Sequence, residues 1–299
     1  MIPSLLAGLL SMAPPPTFDV AWFEKTPEYK ALIAAAKKPE KSSGGITLTQ
    51  DEVDAFLKRI EVTSKELKWV EKYASPLSPK RQHKRVRSVM SILTSKSRLA
   101  LGRKFRVDHA KVLEAVSREY QVSIEDLLAM MNTESRFGEV QGSFVVAQVF
   151  VANMAYLQQM ADAAAARGDF DQSGAVSRKK NAKRVKRRVR YAVKNLATLL
   201  KYARSRQMDP LGFKGSWAGA IGITQFMPAS LKWAVDGDAD GVVDLSTIPD
   251  AVASTANYLV VHGYKRDSRD ARAKAFRAYN PNDEYVRAIL AYSDKIRGT

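Results

Sequence analysis

The sequence predicts a mainly α-helical protein, and three observations carry that prediction. Apolar residues recur at three- and four-residue steps along most of the chain. Helix start signals stand in front of several of those runs. No alternation of strand and helix patterns occurs, and no internal repeat.

The elements follow in order. An apolar run from Ile2 to Ala13 opens the chain and is too short to span a bilayer. It fits the core of a secretory signal, with Ser11 and Ala13 as small residues at a cleavage site. Against this, no Lys or Arg precedes it and Pro14 follows. A buried or disordered terminus is the alternative. Residues 14–50 read as a loose leader with a helix over Thr26–Lys38 and a Ser/Gly linker at Lys41–Gly45. Thr49 starts the next helix, with Glu52 placed as a capping-box partner.

Residues 76–104 carry Lys80, Arg81, Lys84, Arg85 and Arg87 on one or two further helices. Val112, Leu113, Val116 and Tyr120 then recur at helical spacing. Ser123 caps a helix over Ile124–Glu134 that buries Leu127, Leu128 and Met131 and breaks at Gly138. Phe144–Met160 reads as an apolar core helix. A long amphipathic helix to about Arg204 follows, with Val185, Val189, Val193, Leu196 and Leu200 on its inner face. Its basic run, Arg178 to Arg190, is either a polyanion-binding patch or a solvated face. Helices over Asp250–Val261, Ala271–Tyr279 and Glu284–Ile296 complete the chain. Its organisation reads as a leader over 1–45, a helical region over 46–106 and a final domain over 107–299.

Charge and composition narrow the chemistry. With 48 Lys+Arg against 31 Asp+Glu, the net charge is +17, so the surface favours polyanions such as nucleic acid, anionic membrane or anionic cell-wall polymer. Cysteine is absent, which removes disulfides, a thiol nucleophile, thiolate metal sites and a lipid anchor on cysteine. His83, His109 and His262 are too far apart in sequence to suggest a histidine metal site.

Glu134 is the candidate reactive group. It lies three residues after Met131 and seven after Leu127, on or beside the apolar stripe. Burial and the negative end of the helix dipole both favour its protonated form. Its structural alternative is a helix-end carboxylate paired with Arg136 or a lysine. Glycosidic cleavage needs such an acid and usually a second carboxylate, and none stands convincingly near it in sequence.

Residues 215–230, GSWAGAIGITQFMPAS, form a glycine-broken wall suited to an uncharged polar ligand with flat apolar faces. Asp236, Asp238, Asp240, Gly241 and Asp244 then follow the D-x-D-x-D-G pattern of a calcium loop, with Val242 as a carbonyl donor. Position twelve is Thr247 rather than Glu. The alternative is an Asp-rich turn held by its own hydrogen bonds.

Glu134-Ser-Arg-Phe-Gly138, Gly142-Ser143, residues 215–230, AVDGDADGVVDL (234–245), ANYL (256–259) and AYN (278–280) occur in this order. In that order they resemble the lytic murein transglycosylases, above all the B-type glycoside hydrolase family 103. The resemblance runs from about Ser97 to Thr299. It implies a goose-lysozyme-like helical core with an EF-hand-like loop and an N-terminal helical extension, and makes 107–299 the catalytic domain. It also implies cleavage of the β-1,4 bond between N-acetylmuramic acid and N-acetylglucosamine in peptidoglycan, with a 1,6-anhydromuramyl product. Glu134 would be the single acid/base. Ser216, Gln225, Phe226 and Met227 match one wall of the sugar groove, and Tyr258, Tyr279 and Asn280 the other. Asp250 would complete a structural calcium site, and no cofactor would serve catalysis. The partners implied are glycan strands, with no specific nucleic acid, an anionic wall or membrane surface as a further contact, and a monomeric chain. The expected location is periplasmic or secreted, without a lipid anchor. A water-using muramidase and a non-catalytic wall-binding protein are the alternatives.

Overall fold

A computed structural model describes residues 18–40, 43–74, 90–167 and 175–298, with the side chains of 175–177 left aside. The secretory-signal run Ile2–Ala13 and the basic residues Lys80 to Arg87 lie outside the described residues.

The helices in chain order are α1 (Val20–Phe23), α2 (Pro27–Lys37), α3 (Gln50–Leu57), α4 (Ser64–Ala74), α5 (Lys96–Asp108), α6 (Ala110–Tyr120) and α7 (Ile124–Ser135). Strand β1 (Phe144–Val145) leads into α8 (Val146–Ala166) and α9 (Ala175–Ser205); β2 (Lys214–Gly215) follows, then α10 (Ile248–Val261), α11 (Arg269–Tyr279) and α12 (Asp283–Arg297). The chain forms two compact units, each built from two segments: residues 1–76 with 143–219, and 77–142 with 220–299. This differs from the linear division into 1–45, 46–106 and 107–299, because the chain passes between units repeatedly.

In the first unit α4 and α9 both pack on α8, and α2 packs on α9. The α3 start is as the sequence suggests: Thr49 and Glu52 close a reciprocal capping box. The loose-leader reading of 14–50 is corrected for its described part. Leu32, Ile33 and Ala36 are buried. The ammonium of Lys201, itself buried, donates to the carbonyls of Ala35 and Lys38, each at 2.7 Å. Those carbonyls at the end of α2 lack helical partners, so a cation there satisfies them. The helix expected from Phe144 starts two residues later. Phe144 and Val145 instead pair antiparallel with Gly215 and Lys214, where β-branched and aromatic residues fit an extended ladder.

In the second unit α7 is the central helix, packed against α12, α10, α5 and α6. Every residue from Asp126 to Asn132 is buried. Ser123 caps α7, its Oγ accepting from the Asp126 amide at 3.2 Å. The buried Asp126 carboxylate is matched by the buried Arg272 guanidinium, which donates to Oδ2 at 2.7 Å and Oδ1 at 2.6 Å. Tyr264 and Ser293 complete this network. A buried charge needs such full pairing, and here the pairing locks α7 against α11 and α12.

Candidate active site

Glu134 occupies the penultimate position of α7. The helix ends at Ser135, before the break expected at Gly138. Arg136 and Phe137 take left-handed backbone angles, with φ of 54° and 58°. Their amides return to the carbonyls of Asn132 and Met131 at 3.2 and 2.9 Å, closing the helix end.

The Glu134 carboxyl is pushed up to about 7 by burial, and the hydroxyl of Tyr285 pulls it back down. Tyr285, on α12, donates to Glu134 Oε1 at 2.5 Å. The ion-pair alternative does not hold: Arg136 pairs with Glu139 at 3.5 Å on the surface. Among the described residues no cation pairs with Glu134. Tyr285 was not singled out by sequence reasoning. Its signal was present but ordinary: with Ile289, Tyr292 and Ile296 it continues the inward stripe of α12.

An aromatic cluster stands beside the acid. Phe226 lies 5.5 Å from Tyr258 and 5.7 Å from Tyr279, and the two tyrosines meet at 4.7 Å. Phe226 and Tyr258 are buried, so they back the wall rather than face solvent. Tyr279 donates to the Thr224 carbonyl, and Tyr258 to that of Ala278 at 2.9 Å. Burial pushes the Tyr258 hydroxyl up to about 12. It pushes Tyr279 well above its ordinary range, with the negative charge of Glu134 adding to the effect. Both phenols therefore stay neutral donors.

Gln225 has a left-handed backbone, with φ of 52°. Its amide nitrogen donates to the carbonyls of Gly222 at 2.8 Å and Gln141 at 3.1 Å. The donors are thus committed to the protein, and the carbonyl oxygen carries the group's open polarity. Gly222 makes the turn work: φ is +67°, and a Cβ there would come within 2.5 Å of the Leu245 carbonyl oxygen. Met227 is half-buried and Asn280 exposed at the end of α11. Ser216 belongs to the other unit, in the turn where the Gly219 amide meets its carbonyl at 2.9 Å.

The Asp-rich loop gathers three carboxylates. One oxygen each from Asp236, Asp238 and Asp250 lie within 4.8 Å of one another. Asp250 is buried and accepts from the amides of Gly237 at 2.7 Å and Asp244 at 2.6 Å. Asp240 is turned to its own loop, accepting from the Val242 amide at 2.7 Å. Asp236 Oδ2 accepts from the Gly241 amide at 2.8 Å, while its Oδ1 is buried and has no hydrogen-bond partner. An orphaned carboxylate oxygen facing two more carboxylates fits a hard cation with oxygen ligands. Gly237 lets the loop approach α10: a Cβ there would lie 2.3 Å from the Pro249 carbonyl oxygen.

Residues 30–287 match the family described as transglycosylase SLT domain. Over 86 residues the chain is 46% identical to membrane-bound lytic murein transglycosylase B of Escherichia coli K12, a segment covering 28% of this chain and 24% of that protein. The E. coli lytic transglycosylase Slt35, solved with bulgecin A, superposes with a TM-score of 0.66 at 19% identity, covering 92% of this chain and 94% of that one. Soluble lytic transglycosylase SltB1 of Pseudomonas aeruginosa gives 0.65 at 19% identity, covering 90% and 99%. SltB3 of the same organism, solved with NAG-anhNAM-pentapeptide, gives 0.66 at 19% identity, covering 94% and 80%. These likenesses bear out the mainly α fold class. With a family match across most of its length, the chain belongs to the transglycosylase SLT domain family.

Proposed function

We infer that this chain is a peptidoglycan lytic transglycosylase that cuts the β-1,4 bond between N-acetylmuramic acid and N-acetylglucosamine. The observation that carries this is Glu134: an acid held near pH 7 by burial, with a tyrosine hydroxyl rather than a second carboxylate as its partner. A muramidase working through water or a covalent intermediate needs two carboxylates. A single acid is enough when the sugar supplies its own nucleophile.

Glu134 gives its proton to the leaving glycosidic oxygen as the C1–O bond breaks. The resulting carboxylate takes the proton of the muramyl C6 hydroxyl, and O6 bonds to C1. The products are a 1,6-anhydromuramyl end and a free N-acetylglucosamine end; the acid is regenerated and no water is consumed. A carboxyl balanced near neutrality suits both halves.

Gln225, Met227 and Asn280 then offer the sugar-facing edge, backed by Phe226, Tyr258 and Tyr279. Asp236, Asp238 and Asp250 would hold a structural calcium ion, with Asp240 and the Val242 carbonyl as the further ligands of the same loop. Such an ion would neutralise the three carboxylates and fix the segment that follows the wall. The enzyme acts as a monomer in the bacterial envelope, periplasmic or secreted. Among the described residues no helix is long and apolar enough to cross a membrane.

Mass spectrometry of digested sacculi tests the reading. Anhydro-muropeptides are expected, and reducing-end products alone would assign a muramidase instead. Glu134→Gln digesting as fast as the parent would remove Glu134 as the catalytic acid, and a parent that binds sacculi without digesting them would be a wall-binding protein.

A further inference from the structure

The basic run on α9 holds an inward pair and an exposed stripe, with Arg178 and Lys180 exposed outside that stripe. Arg184 and Arg188 turn inward and are half-buried. Arg184 donates to the Tyr73 and Ala74 carbonyls, and the Arg188 guanidinium lies 3.6 Å from the centre of the Tyr73 ring. Lys179, Lys183, Lys186, Arg187, Arg190 and Lys194 are exposed. At 100° per residue these six fall within an arc of about 100°, so they form one stripe roughly 22 Å long. The opposite side of the helix is buried through Asn181, Val185, Ala192 and Leu199. Among the described residues no carboxylate pairs with any of the six.

Such a stripe is costly to leave alone. Like charges one turn apart on a helix repel, and among the described residues no carboxylate pairs with them to offset this. It lacks the parts that read nucleic acid: between residues 179 and 194 the one aromatic is Tyr191, at the stripe's edge. It also lacks exposed apolar residues that would insert into a membrane. What remains is a straight row of cations matched to a surface of phosphate charge.

We propose that this face of α9 docks on an anionic phospholipid bilayer, through headgroup phosphates and without insertion. The choice of a bilayer over other polyanions rests on the reading of the chain as an envelope enzyme. Docking of this kind would hold the enzyme at the membrane face of its polymeric substrate.

The test is co-sedimentation of the full chain with vesicles of phosphatidylcholine alone or mixed with phosphatidylglycerol, across a salt series. Binding is expected only with phosphatidylglycerol and is released by salt. Each cation removed weakens partition about fivefold, so the K183E/K186E/R187E/R190E variant should bind at least about a hundredfold less. Its thermal melt and its digestion of sacculi in suspension should match the parent, which separates lost docking from lost folding. Equal binding to neutral vesicles, or equal binding by parent and variant, would overturn the proposal. So would preference for duplex DNA or for isolated sacculi over anionic vesicles in a competition sedimentation. Vesicle binding is measured without catalysis, so docking with no anhydro product would remove the transglycosylase reading and leave the surface standing.

Discussion

Tyr285 donates its hydroxyl hydrogen to Oε1 of Glu134, and in doing so works against the burial of the same carboxyl. Burial favours the neutral acid; the phenol favours the anion. The result is a group pushed up to about 7 rather than further. Removing the phenol oxygen should let burial act alone. In Tyr285→Phe the alkaline limb of the rate–pH profile should move upward by about one to two pH units, since a hydrogen bond to a charged group contributes about 1.5–3 kcal/mol. A downward shift or none, read from initial rates on purified glycan strands, would contradict that balance.

Replacing the acid itself should remove the chemistry and relieve the fold. Glu134→Gln is expected to lower the rate by about 10²–10⁴-fold, the usual range for general acid–base catalysis. Stability moves the other way. The folded-state pKa lies above the ordinary 4.5, so the folded protein binds more protons than the unfolded chain between those values. The stability tied to protonation is therefore complete below 4.5 and lost as pH rises through about 7. Glu134→Gln should melt higher than the parent at pH 8, and the gap should close in acid. Parallel melting curves at both pH values check the sign.

Calcium should raise the melting temperature relative to chelator, by mass action on the folded state. Asp236→Asn should abolish that rise. Asp250→Ala should abolish it and also destabilise the metal-free protein by about 2–4 kcal/mol, because two backbone amides lose a buried acceptor. Calorimetry with and without calcium separates the two effects.

The Asp126–Arg272 pair makes a third kind of prediction. Arg272→Ala leaves a buried carboxylate uncompensated and should cost about 3–5 kcal/mol. Denaturant unfolding should show this loss. The alkaline limb of the rate–pH profile should stay in place, since Arg272 is not among the groups that set the Glu134 pKa.

Much of this was legible before any coordinates. Ser123 as a cap, the apolar period of α7 and the acid at its end all follow from local rules, because neighbours within one helix decide them. The gathering of Asp236 and Asp238 was legible for the same reason, being a local Asp-rich pattern; Asp250, which joins them, came only with the family resemblance. Tyr285 was not, since its role depends on α12 lying against α7 about 150 residues away in sequence. Phe144 and Val145 looked helical because their strand partner, Lys214–Gly215, lies 70 residues further on. The helix α2 looked like part of a leader because the groups that hold its end and the residues just after it, Lys201 and Thr198, come from the far end of α9. The Gln225 amide, expected as a free sugar contact, spends its donors on carbonyls that only a turned backbone brings near it.

The two-segment construction of both units has a consequence for how the chain is made. The first unit lacks its closing piece until Gly219 has been synthesised, and the second until the final helix. The ribosome therefore releases no finished unit during the first two-thirds of synthesis, and α2–α4 must wait with Leu32, Leu57 and Val70 uncovered. Domains that fold only when their late segment arrives are exposed to aggregation in the interval. Neither unit can be cut out as one uninterrupted segment; a cut at residue 107, for instance, removes α1–α4 and most of α5 and leaves α8 and α9 without α4 and α2, which pack on them.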